Sequence, residues 1–490
     1  MAESNEYVEQ RLKKLDELRE SGVEVYPYSY NKTHNASKIL EKYTELDEGE
    51  ETKDSVSVAG RIMTLRSMGK AGFAHVQDET GKIQIYVRKD EISEESFNVF
   101  SKIDLGDIIG IKGTVFRTKK GEVSIRVKEF VLLSKCVRPL PEKWHGLKDK
   151  EVRYRKRYLD LITNPEVKKT FVDRTKIINA IKEFLVDKGF LEVDTPVLQP
   201  IYGGASARPF KSFLNELKMD VYMRVSNELY LKRLIVGGFE KVFEFSKDFR
   251  NEGIDRTHNP EFMMMECYWA YADYQDVMKL TEDCYEFVAK KVFGTTEFNY
   301  QGNKIDVKAP WERITMKEAI KKFTKIDVDD LDDAGLKKAL KENNVELAGD
   351  YKRGYATIAL FEDLVEDKLV QPTFVIDHPK ESTPLCKVKR GDEEMIERFE
   401  PYICGMEIGN AYSELNDPIK QKELLEEQAL MLKKGDDEAN PMDEDFVESM
   451  EYGMPPTGGL GLGIDRMVML MTDSPSIRDV ILFPFMRPEE

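Results

Sequence analysis

The sequence predicts an α+β chain of more than one domain, with a small all-strand barrel ahead of a larger body that mixes helices with paired strands. Three observations carry this reading. At 490 residues the chain has room for about three domains of roughly 150 residues each. Between Ser55 and Ser134 apolar residues alternate in five short runs, the period of half-buried strands. From Val167 onward the period lengthens to that of a helix, then returns to strand-like runs broken by glycine and proline.

In order, Val8, Leu12, Leu15 and Leu18 recur at helical spacing until Ser21-Gly22, predicting an amphipathic extension over 1–50. The runs Val56–Leu65, Phe73–Gln77, Ile83–Val87, Ile108–Phe116 and Val123–Leu133 predict strands. Turns at Gly69-Lys70, Thr80-Gly81 and Lys120-Gly121 separate some of them, and a helix-like stretch, Glu91–Phe100, lies between the third and fourth. Five strands in that order suggest an OB-type barrel over 51–140, a fold that binds oligonucleotides around strands two and three. A basic stretch with Pro139, Pro141, Arg153, Arg155, Lys156 and Arg157 predicts a linker over 141–165. A long helix follows over Val167–Lys188, its stripe set by Phe171, Ile177, Ile178, Ile181, Phe184 and Leu185 and its end by Gly189. Strands are expected at Val242–Phe249 and Phe262–Ala270, a helix at Asp273–Lys291, strands at Arg398–Ile403 and Glu407–Tyr412, and a glycine-rich strand entering a helix at Asp465. Residues 305–395 hold no usable motif and are expected to be an insertion in a domain spanning 166–490.

Composition narrows the function. No apolar run approaches the ~20 residues of a membrane span, and Met1–Gln10 carries no secretory h-region, so the expected compartment is the cytoplasm, with no membrane partner. Five scattered cysteines form no Cys-x-x-Cys pair and are expected as reduced thiols. A net charge of −17 argues against indiscriminate nucleic-acid binding, DNA included. From Ser55 to Arg157, however, 22 Lys and Arg stand against 13 Asp and Glu, so one basic segment rides on an acidic body.

Two elements concentrate chemistry. If the strands around residues 250–261 pair, Arg250 faces Phe262, and Phe262, Met264, Glu266 and Tyr268 share its face. A guanidinium suits phosphate, and a ring beside a second arginine can clamp a base. Gly458 to Arg466 reads Gly-Gly-Leu-Gly-Leu-Gly-Ile-Asp-Arg, neither a Walker loop nor a dinucleotide fingerprint, and it puts Arg466 in a first helical turn where an anion would lie. A two-residue turn at Cys404-Gly405 pairs Tyr402 with Glu407, leaving Glu400 diagonal to it, roughly 7–8 Å away and within reach of a shared hard cation. The same alternation puts Asn410 and Glu414 on the opposite face from Glu407 unless a bulge intervenes.

These two elements and Gly189-Phe190-Leu191-Glu192-Val193-Asp194-Thr195-Pro196 resemble the three signature motifs of class II aminoacyl-tRNA synthetases. Gly203-Gly204-Ala205, Arg208-Pro209-Phe210, Asn227 to Arg233 and Gly405 to Asn416 extend the resemblance to the class II lysyl-tRNA synthetases, from the barrel to Arg487-Pro488. The resemblance implies an antiparallel catalytic sheet flanked by helices, a homodimer built on the first motif, and an anticodon-holding barrel. It puts Arg250 on the ATP α-phosphate and the lysine carboxylate, Phe262 and Arg466 on opposite faces of adenine, and Glu252 at the adenine edge. His258 and Asn259 lie near the phosphates, and Glu400 and Glu407 hold Mg2+. Relatives often carry Arg directly before the histidine, where this chain has Thr257 after Arg256.

For the amino acid, the resemblance assigns the α-amino group to Gly204 and Glu228, the carboxylate to Asn410, and the ε-ammonium to Glu266, Tyr268 and Glu414. An ammonium leaving water needs paired carboxylates, and Leu231 stands where aspartate enzymes of the subclass carry a lysine. In the barrel, Arg66, Phe73, Gln84 and Glu122 correspond to anticodon-holding positions, a ring with nearby polar groups being a common way to read single-stranded RNA. The implied function is ATP-dependent activation of L-lysine and its transfer to the 3′ end of tRNA(Lys), with catalysis resting on Arg250 and Arg466. A ligase acting on another acceptor and a silent RNA-binding paralogue are the rival readings.

Overall fold

The computed structural model describes residues 2–141, 147–347, 349–435 and 438–489, the side chains of residues 2–5 excepted. Two compact units divide between Lys148 and Asp149.

The first unit holds α1 (Ala2–Glu20), α2 (Ala36–Lys42), β1 (Glu51–Met68), β2 (Ala71–Gln77), β3 (Lys82–Arg88), α3 (Glu94–Lys102), β4 (Ile108–Arg117) and β5 (Val123–Ser134). The strands close a barrel in the order β1-β2-β3-β5-β4, with β3 and β5 parallel. Alternation decides what each strand shows: Ile83, Ile85 and Val87 are buried inside, leaving Gln84 and Tyr86 on the outer face. The extension is not separate from the barrel. Leu15 and Leu18 of α1 join its core, whereas Leu12 stays exposed, and Lys14 pairs with Asp104 at 2.6 Å.

The second unit begins with α4 (Lys150–Arg155), α5 (Arg157–Thr163) and α6 (Pro165–Asp187). Residues 142–146 of the expected linker lie outside the described residues, but from Asp149 onward the expectation of a linker fails. Asp149 caps α4, and Arg157 is fully buried, its guanidinium on Asp160 at 2.7 Å and on the carbonyls of Arg478 and Leu482. A basic run in sequence cannot distinguish solvated charges from charges that fold inward onto acids and carbonyls. Helix α6 ends as expected: Gly189, at φ 84°, lets the Phe190 N–H reach the Leu185 carbonyl at 3.0 Å.

A ten-stranded sheet follows. Its strands are β6 (Leu191–Glu192), β7 (Lys241–Phe249), β8 (Glu261–Ala270), β9 (Glu312–Thr315), β10 (Thr373–Pro379), β11 (Val388–Lys389), β12 (Asp392–Ile403), β13 (Met406–Glu407), β14 (Gly409–Ser413) and β15 (Thr457–Gly463). The order is β9-β10-β12-β14-β15-β8-β7-β6, with β11 and β13 also on β12. The pairing is antiparallel except at the edges, where β9 with β10 and β6 with β7 run parallel. The expected insertion over 305–395 therefore supplies strands of the sheet itself. Its helices α9 (Met316–Thr324), α10 (Asp333–Glu342) and α11 (Arg353–Leu364), which follow α7 (Glu228–Val236) and α8 (Tyr274–Phe293) in the chain, form their own apolar cluster.

One face of the sheet, with Phe243, Met265, Cys267, Phe399, Ala411, Leu460 and Leu462, packs on Ile177 and Ile181 of α6 and Tyr285 and Val288 of α8. Because side chains alternate along a strand, residues 264, 266 and 268 of β8 turn to the opposite face, where the site lies. No described helix is long and apolar enough to cross a membrane.

Candidate active site

A cavity of about 380 Å³ opens on that second face. It gathers Gly204, Glu228, Arg250, Glu252, His258, Asn259, Phe262, Glu266, Tyr268, Glu400, Glu407, Asn410, Glu414 and Arg466, residues spread over more than 260 positions of sequence.

Its floor is β15. Gly461 stands opposite Glu266 on one side and Asn410 on the other, and Gly459 stands between Tyr268 and Tyr412. A Cβ on Gly459 would sit 1.9 Å from Glu414 Oε1 and 2.7 Å from Tyr268 Cε1, so the glycine makes room for both polar groups. Gly204 occupies φ 91°, with Ser226 Oγ only 2.9 Å from where a Cβ would stand.

One end of the cavity is acidic. Ser226 donates to Glu266 at 2.9 Å, and the Tyr268 hydroxyl donates to the same carboxylate at 3.0 Å. Burial, then the charges of Asp248 and Glu228, push Glu266 up to about 8. Burial likewise raises Glu414 to about 8, against the pull of Lys232, and raises Glu228 against Lys232 and Arg398. Glu228 is both the first residue of α7 and a wall of the cavity.

The other end is cationic and aromatic. Asp248, not Arg250, lies directly across from Phe262, and the Arg250 N–H bonds Pro260. Arg250 is thus diagonal to Phe262 on the same face, its guanidinium 5.0 Å from the ring centre and its buried Nε without a hydrogen-bond partner. Arg466 donates to the Glu407 carbonyl at 2.5 Å and to the Glu407 carboxylate at 3.2 Å. His258 takes Arg466 on Nε2 at 3.3 Å and gives Nδ1–H to Asp255 at 2.8 Å. Burial disfavours the Asp255 charge, but hydrogen bonds from Thr257 and His258 hold it at about 2. Asn259 spends both ends of its amide on the chain, donating to Glu261 and accepting from Phe485. Arg256 turns to the Pro475 carbonyl.

The turn at Cys404-Gly405 pairs Tyr402 with Glu407 as the spacing predicts. Further along, Phe399 pairs Ala411 and Arg398 pairs Tyr412, a register shifted by one residue. The extra residue falls at Ile408–Gly409, between β13 and β14, and this bulge turns Asn410 and Glu414 to the face of Glu407.

Two residues escaped the sequence reading. Arg398 donates to Asn410 at 3.0 Å and pairs with Glu400; its parity with Glu400 was the available signal. Lys232, fully buried, lies 2.5 Å from both Glu228 and Glu414, and its spacing of four from Glu228 on a helix was the signal there.

Among the described residues no group of three or more His, Cys, Asp or Glu forms a ready metal cage. Glu400 and Glu407 are two hard oxygen donors on the cavity wall, Glu400 paired with Arg398 and Glu407 with Arg466. Two such carboxylates fit Mg2+, which takes few protein ligands and completes its shell with other oxygens.

In the barrel, Arg66 lies opposite Phe73, and Phe73 opposite Tyr86, the two rings stacked at 4.6 Å. Phe73 is half-buried on the outer face rather than in the core. Gln84 donates to Glu122 at 2.6 Å, and His75 meets the same carboxylate at 2.8 Å.

Residues 149–487 match the model of class II tRNA synthetases (D, K and N), and residues 56–133 match that of the OB-fold nucleic acid binding domain. Among curated relatives, the lysine–tRNA ligase of Pelotomaculum thermopropionicum is 53% identical over 99% of this chain and 96% of its own. That of Clostridium novyi is 52% identical over 99% and 96%, and that of Carboxydothermus hydrogenoformans 52% over 100% and 99%. With an acidic and a cationic end on one sheet, an OB barrel before it and such identity end to end, the chain belongs to the lysine–tRNA ligase family of class II tRNA synthetases.

Proposed function

We propose that this enzyme activates L-lysine with ATP and transfers it to the 3′ end of tRNA(Lys). The observation that carries the reading is three buried carboxylates, Glu228, Glu266 and Glu414, and the Tyr268 hydroxyl at one end of a cavity whose other end holds Arg250, Phe262 and Arg466. Such an end suits a long side chain tipped with an ammonium and leaves its acids unpaired with a neutral or acidic substrate.

In the proposed reaction, Gly204 and Glu228 hold the α-amino group, Glu266, Tyr268 and Glu414 the ε-ammonium, and Asn410 and Arg250 the carboxylate. A lysine carboxylate oxygen attacks the ATP α-phosphorus in line, the bond to the β-phosphate oxygen breaks, and pyrophosphate leaves. The nucleophile is already an anion and needs no base, so the protein acts by position and charge, with Arg250 on the α-phosphate and Arg466 and Phe262 on the adenine. Glu252 meets the adenine edge, and His258 and Asn259 line the phosphate loop. Glu400 and Glu407 would hold Mg2+, which supplies charge neutralisation to the phosphates when bound. The tRNA 3′-hydroxyl then attacks the lysyl carbonyl and AMP leaves, while Arg66, Phe73, Gln84 and Glu122 hold the anticodon.

A homodimer is supported by exposed apolar side chains on and beside the first motif, among them Val172, Val186, Leu191, Leu198 and Phe213. Five free cysteines suit the reducing cytoplasm. ATP–pyrophosphate exchange measured over the twenty amino acids tests the reading: lysine alone should support exchange, and exchange with another amino acid in its place would overturn it.

A further inference from the structure

Lys232 has no place in the reaction just described, yet it is fully buried and its Nζ lies 2.5 Å from carboxylate oxygens of both Glu228 and Glu414. It is not one of the side chains that line the cavity; it reaches the two acids from behind the wall. Glu228 and Glu414 come from α7 and from the residue after β14, so the ammonium ties together two elements far apart in sequence at the point where they face the ligand.

Resting on the assignment of this cavity to lysine, we propose that Lys232 is a positioning residue for that substrate: a built-in ammonium that bridges Glu228 and Glu414 and stands in for a proton the empty pocket would otherwise take up. Like carboxylates sharing a dry site cannot both stay charged without a cation, and one of them protonates instead. A protonated, mutually hydrogen-bonded pair is a poor partner for an incoming ammonium, since the proton must leave first. Around Glu414 stand Lys232, Glu228, Lys387, Cys386, Tyr268 and Tyr412, and around Glu228 stand Lys232, Glu414, Glu266, Arg398, Tyr268 and Tyr412. Glu228 and Glu414 face Lys232 itself. Lys387 and Arg398 act on these acids through charge alone, whereas Lys232 is in ion-pair contact with both.

Lysine binding is measured by calorimetry at pH 8 in two buffers of different ionisation enthalpy, which counts the protons released. Lys232→Met should release about one more proton per lysine than wild type, weaken lysine at least tenfold, and leave the KM for ATP within threefold. The pH at which lysine affinity levels off should rise. A lysine that only braces α7 would lower the melting temperature and leave the proton count and pH profile where they were, and that result overturns the proposal. Lys232→Met combined with Glu414→Gln removes the cation together with one of the charges it offsets. Its count should return to the wild-type value, and a raised count there also overturns the proposal, even if the single variant does not fold. Wild-type protein that binds no lysine refutes the pocket assignment itself, a failure distinct from either count.

Discussion

Replacing Gly459 with alanine adds one methyl group at the tightest point of the cavity. The new Cβ would stand 1.9 Å from Glu414 Oε1 and 2.7 Å from the Tyr268 ring, and neither can yield cheaply. Glu414 is buried and paired with Lys232, and Tyr268 is buried and bonded to Glu266. Overpacking of this kind costs about 1–3 kcal/mol, and displacing Glu414 also disturbs its buried ion-pair contact with Lys232. The middle of that range, about 2 kcal/mol, corresponds to roughly a 30-fold rise in the lysine KM. The end proposed for ATP, with Arg250, Phe262 and Arg466, is untouched, so the KM for ATP should stay within threefold. Lysine-dependent ATP–pyrophosphate exchange on folded protein measures both. A lysine KM within threefold of wild type would refute the claim that the β15 glycines shape an ammonium pocket.

Other outcomes follow from the same geometry. Glu266 holds its proton up to about pH 8 in the empty pocket, and a bound ammonium favours its charged form. Lysine binding therefore releases protons, so its KM should fall as pH rises from 6.5 to 8.5 and then level off; a flat profile would contradict the shift. Arg250→Ala should abolish lysine-dependent exchange while sedimentation still reports the wild-type assembly, and retained exchange would remove Arg250 from the phosphate. Phe73→Ala should raise the KM for tRNA about 5- to 100-fold, the loss of roughly 1–3 kcal/mol of base stacking, without changing exchange. A tRNA KM unchanged within twofold would take Phe73 off the RNA face.

Much of this was legible in the residues. Alternation along Lys82–Arg88 sorts core from outer face before any barrel is seen, and Gly189 marks the end of α6 through a conformation that suits glycine. The shared face of Phe262, Glu266 and Tyr268 follows from strand parity alone. The expected linker and insertion went astray for a common reason. Pattern reports which residues are charged or apolar, and not that Arg157 would find Asp160 and the carbonyls of Arg478, Ile481 and Leu482, or that Thr373–Pro379 would find Asp392–Ile403.

What the sequence by itself determined is local: periods, turns, caps and the kinds of group available, because these depend on neighbours a few bonds away. Only the tertiary structure decided that an extra residue at Ile408–Gly409 swings Asn410 and Glu414 onto the face of Glu407, and that Lys232 closes on two acids from different elements. Both depend on register and on charge meeting charge in a dry interior, where a shift of one residue exchanges the two faces of a strand and a buried carboxylate must find a cation or a proton.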